Sequence, residues 1–145
     1  MKISTRSRYG LKAIVDIAAQ YPMATNIKNI AQRQNIPKNY LDQILAILKK
    51  SGFIKSIRGA HGGYILDCDP VNTDIGSVLR ALEGSLCLVN CLSNAPNNSC
   101  NNADCNSCFT KNVWAKIYEN INSAIDSISI NDLVEDYKKL SRKEN

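Results

Sequence analysis

A chain of 145 residues with net charge +5 can bury one compact core or two small lobes, which excludes a large enzyme carrying a second domain. With 44% hydrophobic residues it has the composition of a folded protein. No run of about 18 apolar residues exists to span a membrane, and the polar, basic start from Met1 to Arg8 lacks the apolar centre of a secretory signal. A cytoplasmic location is therefore expected.

The first helix is predicted from about Thr5 to Gln20, capped by Ser4 or Thr5, with Tyr9, Ala13, Ile14, Ile17 and Ala18 at helical spacing. Tyr21-Pro22 ends it. Thr25 or Asn26 can cap a short second helix carrying Ile27, Ile30 and Ala31. After an Asn35-Ile36 turn, Pro37 suits the first turn of a third helix, whose Leu41, Ile44, Leu45 and Leu48 form an i, i+3, i+4, i+7 stripe closed by Gly52. Two short helices joined by a tight turn read as helix-turn-helix. Two β-prone runs, Phe53–Arg58 and Tyr64–Leu66, flank the glycine-rich Gly59–Gly63 and predict a hairpin. Directly after a helix-turn-helix, such a hairpin is a wing, with Arg58 and His61 near its tip.

A further helix is predicted from Asp74 to Glu83, with Ile75, Val78, Leu79 and Leu82 on one face and Gly84 as its stop. A stretch rich in asparagine and cysteine follows. It holds Cys87, Cys91, Cys100, Cys105 and Cys108, and its turn formers predict a long loop. Then Val113, Ile117, Ile121, Ala124, Ile125 and Ile128 recur every three or four residues beside Trp114 and Tyr118. A long apolar stripe near a chain end suits a dimer interface. Ser129 can cap a last short helix through Leu140, with a frayed tail from Ser141 to Asn145.

Charge and cysteine are both segregated. Residues 1–66 carry eleven Lys/Arg and two acids, a net +9, whereas residues 67–145 carry a net −4. A basic half on an otherwise acidic molecule suggests a polyanion bound on one side, the plainer alternative being solvated helix faces. Five of the six cysteines lie in the second half's loop. In a reducing compartment they point to metal or redox chemistry rather than to disulfides. Cys68, alone and amid acids, reads as a small buried hydrophobe. No Ser/His/Asp set, paired acids or phosphate loop indicates an enzyme.

Four segments together carry a family resemblance: Met1–Gly10, Tyr40–Ile44, the wing Ile57–Tyr64 and Ser129–Leu133. They resemble the Rrf-type winged helix-turn-helix regulators, a family that includes IscR, NsrR, RirA and CymR types. The likeness covers about residues 1–138 and is strongest to the IscR type. It implies a mainly α fold in three parts. Residues 1–70 would form the DNA-binding region with its two-stranded wing. Residues 71–110 would supply the linking helix and cysteine loop, and 111–145 a dimerisation helix and a short C-terminal helix. It also implies a homodimer on a pseudo-palindromic operator.

The resemblance further implies an iron–sulfur cluster, of [2Fe–2S] type in IscR-like members, held by the loop. The four thiolates in the spacing Cys91-x8-Cys100-x4-Cys105-x2-Cys108 can wrap a metal, and both iron–sulfur clusters and zinc take such ligands. Zinc and a metal-free thiol switch are the alternatives, and Cys87 could replace Cys105. Aligned on Trp114, IscR-like members have a histidine where Lys111 falls here; aligned on the C-x-x-ligand spacing, Cys105 and Cys108 form the terminal pair. NsrR-like members use an aspartate where Arg8 falls. CymR-like members lack the cysteine loop and act through a partner enzyme of sulfur metabolism. The wing here is closer to theirs, so a cluster-free regulator of cysteine metabolism is the competing reading.

In helix-turn-helix proteins the N-terminal end of the second helix enters the major groove. That end carries Lys38, Asn39, Tyr40, Asp42 and Gln43. Gln43 can pair with adenine and Asp42 can accept from cytosine, while Tyr40 either contacts DNA or packs. Arg58 is the minor-groove candidate, and His61 either touches phosphate or is a plain turn residue. Lys2, Arg6, Arg8 and Lys12 would clamp phosphates.

Overall fold

Helix α1 (Thr5–Gln20) runs through the centre of the structure, with the second, third, fourth and last helices and the second strand laid against it. The computed structural model describes residues 3–92 and 108–144. The Ser4 hydroxyl caps α1 by accepting from the Ser7 N–H at 3.1 Å, which removes one orphan donor of its first turn. Ala13, Ile14 and Ile17 are completely buried, so the helical spacing read from sequence is the core face.

Helix α2 (Ile27–Gln34) is capped by Asn26, not Thr25, and ends on Asn35 in the left-handed region (φ 52°). Thr25 is instead buried and has a different use, described below. Helix α3 (Lys38–Lys50) buries Leu41, Ile44, Leu45 and Leu48. Pro37 precedes its first turn, and Gly52 follows it at φ 81°. Strands β1 (Ile54–Ile57) and β2 (Gly63–Leu66) pair antiparallel, Ile54 opposite Leu66 and Ile57 opposite Gly63. This is the expected wing.

Helix α4 (Ile75–Glu83) is capped by Asp74, whose carboxylate accepts from the Ser77 N–H at 2.6 Å and its hydroxyl at 2.8 Å. Burial pushes the Asp74 acid up, but these bonds and nearby Arg80 outweigh it and hold it below the usual carboxylate range. Val78, Leu79 and Leu82 face α1 and α3. The approach to α1 is set by Gly10: a Cβ there would stand 2.3 Å from a Leu82 methyl.

A single 3-10 turn (Asn90–Leu92) precedes helices α5 (Lys111–Asp126) and α6 (Ile130–Lys143). Ser129 caps α6 in a capping box with Asp132. The frayed tail expected from Ser141 is corrected, because α6 continues to Lys143. It is anchored along α1 by buried Ile130 and Val134 and partly buried Tyr137. Short backbone pairing also ties the α5–α6 turn to the start of α4: Ile75 N–H donates to Ile128 at 2.8 Å and Ile130 N–H to Thr73 at 2.9 Å.

No residue of α5 is buried. Val113, Trp114 and Ile117 are 56%, 39% and 38% exposed, so the first half of the apolar stripe read from sequence is uncovered in the single chain, whereas Ile121 and Ile125 are half-buried, Ile125 against the core, and Ile128 lies past the helix end. Arg80 fixes α5 to α4 by donating to both carboxylate oxygens of Asp126, at 2.6 and 2.8 Å, and to Asn122 at 3.0 Å.

Candidate nucleic-acid interface and cysteine site

The helix-turn-helix is held from behind by one buried carboxylate. Asp16 is completely buried in α1, which is tolerable only if its charge is met. Arg33 of α2 meets it in a two-pronged pair, Nε to Oδ2 at 3.0 Å and Nη2 to Oδ1 at 2.6 Å. Gln34 Nε2 adds a third bond at 2.8 Å and also reaches the Tyr137 hydroxyl at 3.2 Å. The bond to Asp16 raises the Arg33 guanidinium further above its usual value, against the cost of burial. Arg33 Nη2 also donates to the Thr25 hydroxyl at 2.7 Å. The angle between α1 and α2 is thus set by a polar network in which Asp16 meets partners 17 and 18 residues away.

Thr25 then attaches the wing. Its N–H donates to the Tyr64 carbonyl at 2.9 Å, and the Tyr64 N–H returns a bond to the Thr25 carbonyl at 2.8 Å. Gly63 makes this possible, since a Cβ there would lie 2.3 Å from the Thr25 oxygen. On the other side Lys49 Nζ, in the last turn of α3, donates to Ser56 Oγ of β1 at 2.9 Å. Lys55 pairs with Asp67 at 2.8 Å across the hairpin base, and that bond raises the Lys55 ammonium.

On this frame Lys38, Asn39, Asp42 and Gln43 are exposed along α3, and Arg58 and His61 are exposed in the wing. Arg6, Arg8 and Lys12 are exposed on α1. Lys2 lies outside the described residues. Tyr40 is half-buried and packs edge-to-face on Tyr9, ring centroids 5.8 Å apart. Packing is therefore its observed role, and it braces α3 against α1. Pro37 supplies no side-chain cap, so the leading N–H groups of α3 keep a positive end free for an anion. The sequence reading did not single out Lys28 and Asn29, exposed on the first turn of α2, or the Lys49–Ser56 tether. The Asn26-x-x-Asn29 cap spacing was the available signal for the first pair.

Of the cysteine ligand candidates, Cys91 is half-buried in the 3-10 turn and Cys108 is exposed just before α5. Cys100 and Cys105 lie outside the described residues. The Cys108 sulfur is 3.2 Å from the Thr110 hydroxyl. That hydrogen bond, backbone N–H groups and the Lys111 charge pull the thiol below its usual value, which favours the thiolate a metal needs. Cys87 donates to the Leu92 carbonyl at 3.4 Å, and the Tyr118 phenol is raised chiefly by its interaction with Cys87. Cys87 thus lies beside α5. Cys68 stands apart at the hairpin base, its thiol raised chiefly by burial. Among the described residues no three metal-ligating side chains converge. The donor chemistry nonetheless fits a soft metal or iron–sulfur group: four thiols in one stretch, one already biased toward thiolate.

Comparison with known proteins extends this description. Residues 3–136 match the model of the Rrf2 family, described as an iron-dependent transcriptional regulator. The chain is similar to the HTH-type transcriptional regulator CymR of Bacillus subtilis, 34% identical over 134 residues, covering 92% of this chain and 89% of that protein. It is 28% identical over 144 residues to the regulator IscR of Vibrio atlanticus, covering 97% and 79%. Among solved structures it resembles CymR, the global cysteine regulator of B. subtilis, with TM-score 0.75, 32% identity and coverage of 93% and 97%. It also resembles T. potens IscR, with TM-score 0.74, 36% identity and coverage of 97% and 90%.

Proposed function

We propose a function that proceeds from family membership: the chain belongs to the Rrf2 family of transcriptional regulators, and its own residues suggest how it regulates. Regulators of this family bind DNA, and the named relatives CymR and IscR are transcriptional regulators. Beyond that, the reading is of a homodimer that grips a pseudo-palindromic operator and senses iron–sulfur cluster or redox status through its cysteine stretch. It would control genes of cluster biogenesis or of sulfur and cysteine metabolism.

One observation carries the sensing part. The cysteine stretch is inserted between α4 and α5, which Arg80 ties together through Asp126, and Cys87 at its start lies near Tyr118 of α5. A change in that stretch would thereby reach α5, whose Val113, Trp114 and Ile117 are exposed. Cys91, Cys100, Cys105 and Cys108 would hold the cluster, which when bound supplies redox sensitivity and lability. The chain's own part is to offer thiolates, with Thr110 and Lys111 favouring that form at Cys108. Exposed Val113, Trp114 and Ile117 would pair two copies. In each copy α3 would enter the major groove, and Arg58 of the wing the minor groove beside it.

The similarity to CymR favours a second reading: a cluster-free regulator of cysteine metabolism acting through a partner enzyme or a thiol switch. Anaerobic purification followed by visible absorbance and iron and sulfide analysis separates the two. Brown protein with stoichiometric iron and sulfide supports the cluster reading. Colourless protein, with tight operator binding that metal reconstitution does not alter, overturns it.

A further inference from the structure

The exposed face of α3 contains one residue with no polar group. Its exposed positions are Lys38, Asn39, Asp42, Gln43, Ala46, Lys49 and Lys50, opposite the buried Leu41, Ile44, Leu45 and Leu48. Ala46 stands one helical turn beyond both Asp42 and Gln43, so the three side chains are neighbours on one stripe. The next long chain, Lys49, is drawn off toward the wing by its bond to Ser56 at 2.9 Å. Ala46 is therefore a shallow apolar notch, walled by longer polar chains and left uncovered.

We propose that Ala46 is a specificity-determining residue whose methyl group contacts the 5-methyl of a thymine, next to the base pair read by Gln43. This rests on the reading of α3 as the groove-entering helix. The major groove marks thymine by its C5 methyl, and alanine is a side chain that meets it without displacing the helix. The offset fits. Three residues of helix advance about 4.5 Å, close to the rise of about 3.4 Å between bases on one strand. Gln43 takes an adenine through paired hydrogen bonds, and Ala46 selects a thymine at the adjoining step. A bulkier residue at 46 would hold α3 away from the base edges.

The test uses the full-length chain and a duplex selected by it from a random pool. Each thymine in the selected site is replaced singly by deoxyuridine, which removes only the methyl group. For the unaltered protein, one thymine per half-site is expected to lose about fourfold in affinity on this replacement, the worth of one buried methyl. In Ala46→Gly that penalty should vanish at that thymine alone. Ala46→Gln, a good helix former that fills the notch, should lose the thymine preference with its helix intact. Equal deoxyuridine penalties in the unaltered protein and both variants would overturn the proposal while leaving the DNA-binding reading standing. Failure to enrich any sequence from the pool would overturn both.

Discussion

The carboxylate of Glu83, in the last turn of α4, accepts from both the backbone N–H and the hydroxyl of Ser4, the residue that caps α1; the N–H bond is 3.1 Å long. Seventy-nine residues separate the partners. The helix that leads into the cysteine stretch is therefore joined to the start of the helix bearing Arg6 and Arg8. Each of Ser4→Ala and Glu83→Ala is expected to cost about 1 kcal/mol in urea unfolding, the usual worth of an N-cap. The double variant should lose less than the sum by at least about 0.5 kcal/mol, because both changes remove one interaction. Full additivity would contradict the contact.

Acid should weaken three helix starts together. The Glu83 carboxyl is held below its usual range, first by Ser4. Asp132 is held down by the Ser129 backbone and hydroxyl. Asp74 is held down by Ser77 and Arg80 against the opposing effect of burial. In each case the folded state binds protons less readily than the unfolded chain, so stability rises with pH through the titration. That stabilisation is complete above about pH 5 and is lost as pH falls through the folded values, below the ordinary carboxylate range of about 4. Urea midpoints should be flat from pH 6 to 8 and fall below about pH 4, with a shallower fall in Asp132→Asn.

Asp16→Ala should be among the most damaging single changes. It strips Arg33, Gln34 and indirectly Thr25 of a shared acceptor. Because the Arg33 side chain is 35% exposed, the loss belongs at the low end for a buried pair, about 3 kcal/mol. Asp16→Asn, which keeps one acceptor, should lose less. Thermal unfolding of the three proteins orders them, and a loss below about 1 kcal/mol for Asp16→Ala would deny the network its role.

Ile117→Glu should make the protein monomeric. The side chain is 38% exposed in the single chain, so the substitution costs that chain little stability while placing a charge in the apolar stripe of α5. Sedimentation should show half the mass of the unaltered protein, and operator affinity should fall by more than tenfold as one half-site is lost. An unchanged mass would place the pairing surface elsewhere.

The helices were legible because their signals are local. The stripe Leu41, Ile44, Leu45, Leu48 and the caps Ser4, Asn26 and Ser129 each act within one or two turns, whereas Asp74, read as the first helical residue, is the cap of α4. What escaped was pairing between distant residues. Nothing in the run Ile14–Ile17 announces that Asp16 is completely buried, since its partners Arg33 and Gln34 come from the next helix. Thr25 read as a cap because threonine caps helices, whereas its hydroxyl serves Arg33 and its backbone serves Tyr64. The exposed α3 side chains were legible as the outer half of a periodic pattern. The Tyr40 ring stands on Tyr9, a contact between two helices that its own sequence neighbours do not announce.

The backbone stitch between Thr25 and Tyr64, with Gly63 admitting it, means that the wing cannot swing independently of the helix pair. Lys49 and Ser56 pin it from the opposite flank. A reader whose major-groove and minor-groove probes are fixed to one another behaves as a caliper. If α3 and Arg58 are those probes, it would register the twist of the duplex between its jaws as well as the bases under each, so over- or underwinding an operator would change its fit without altering a single letter.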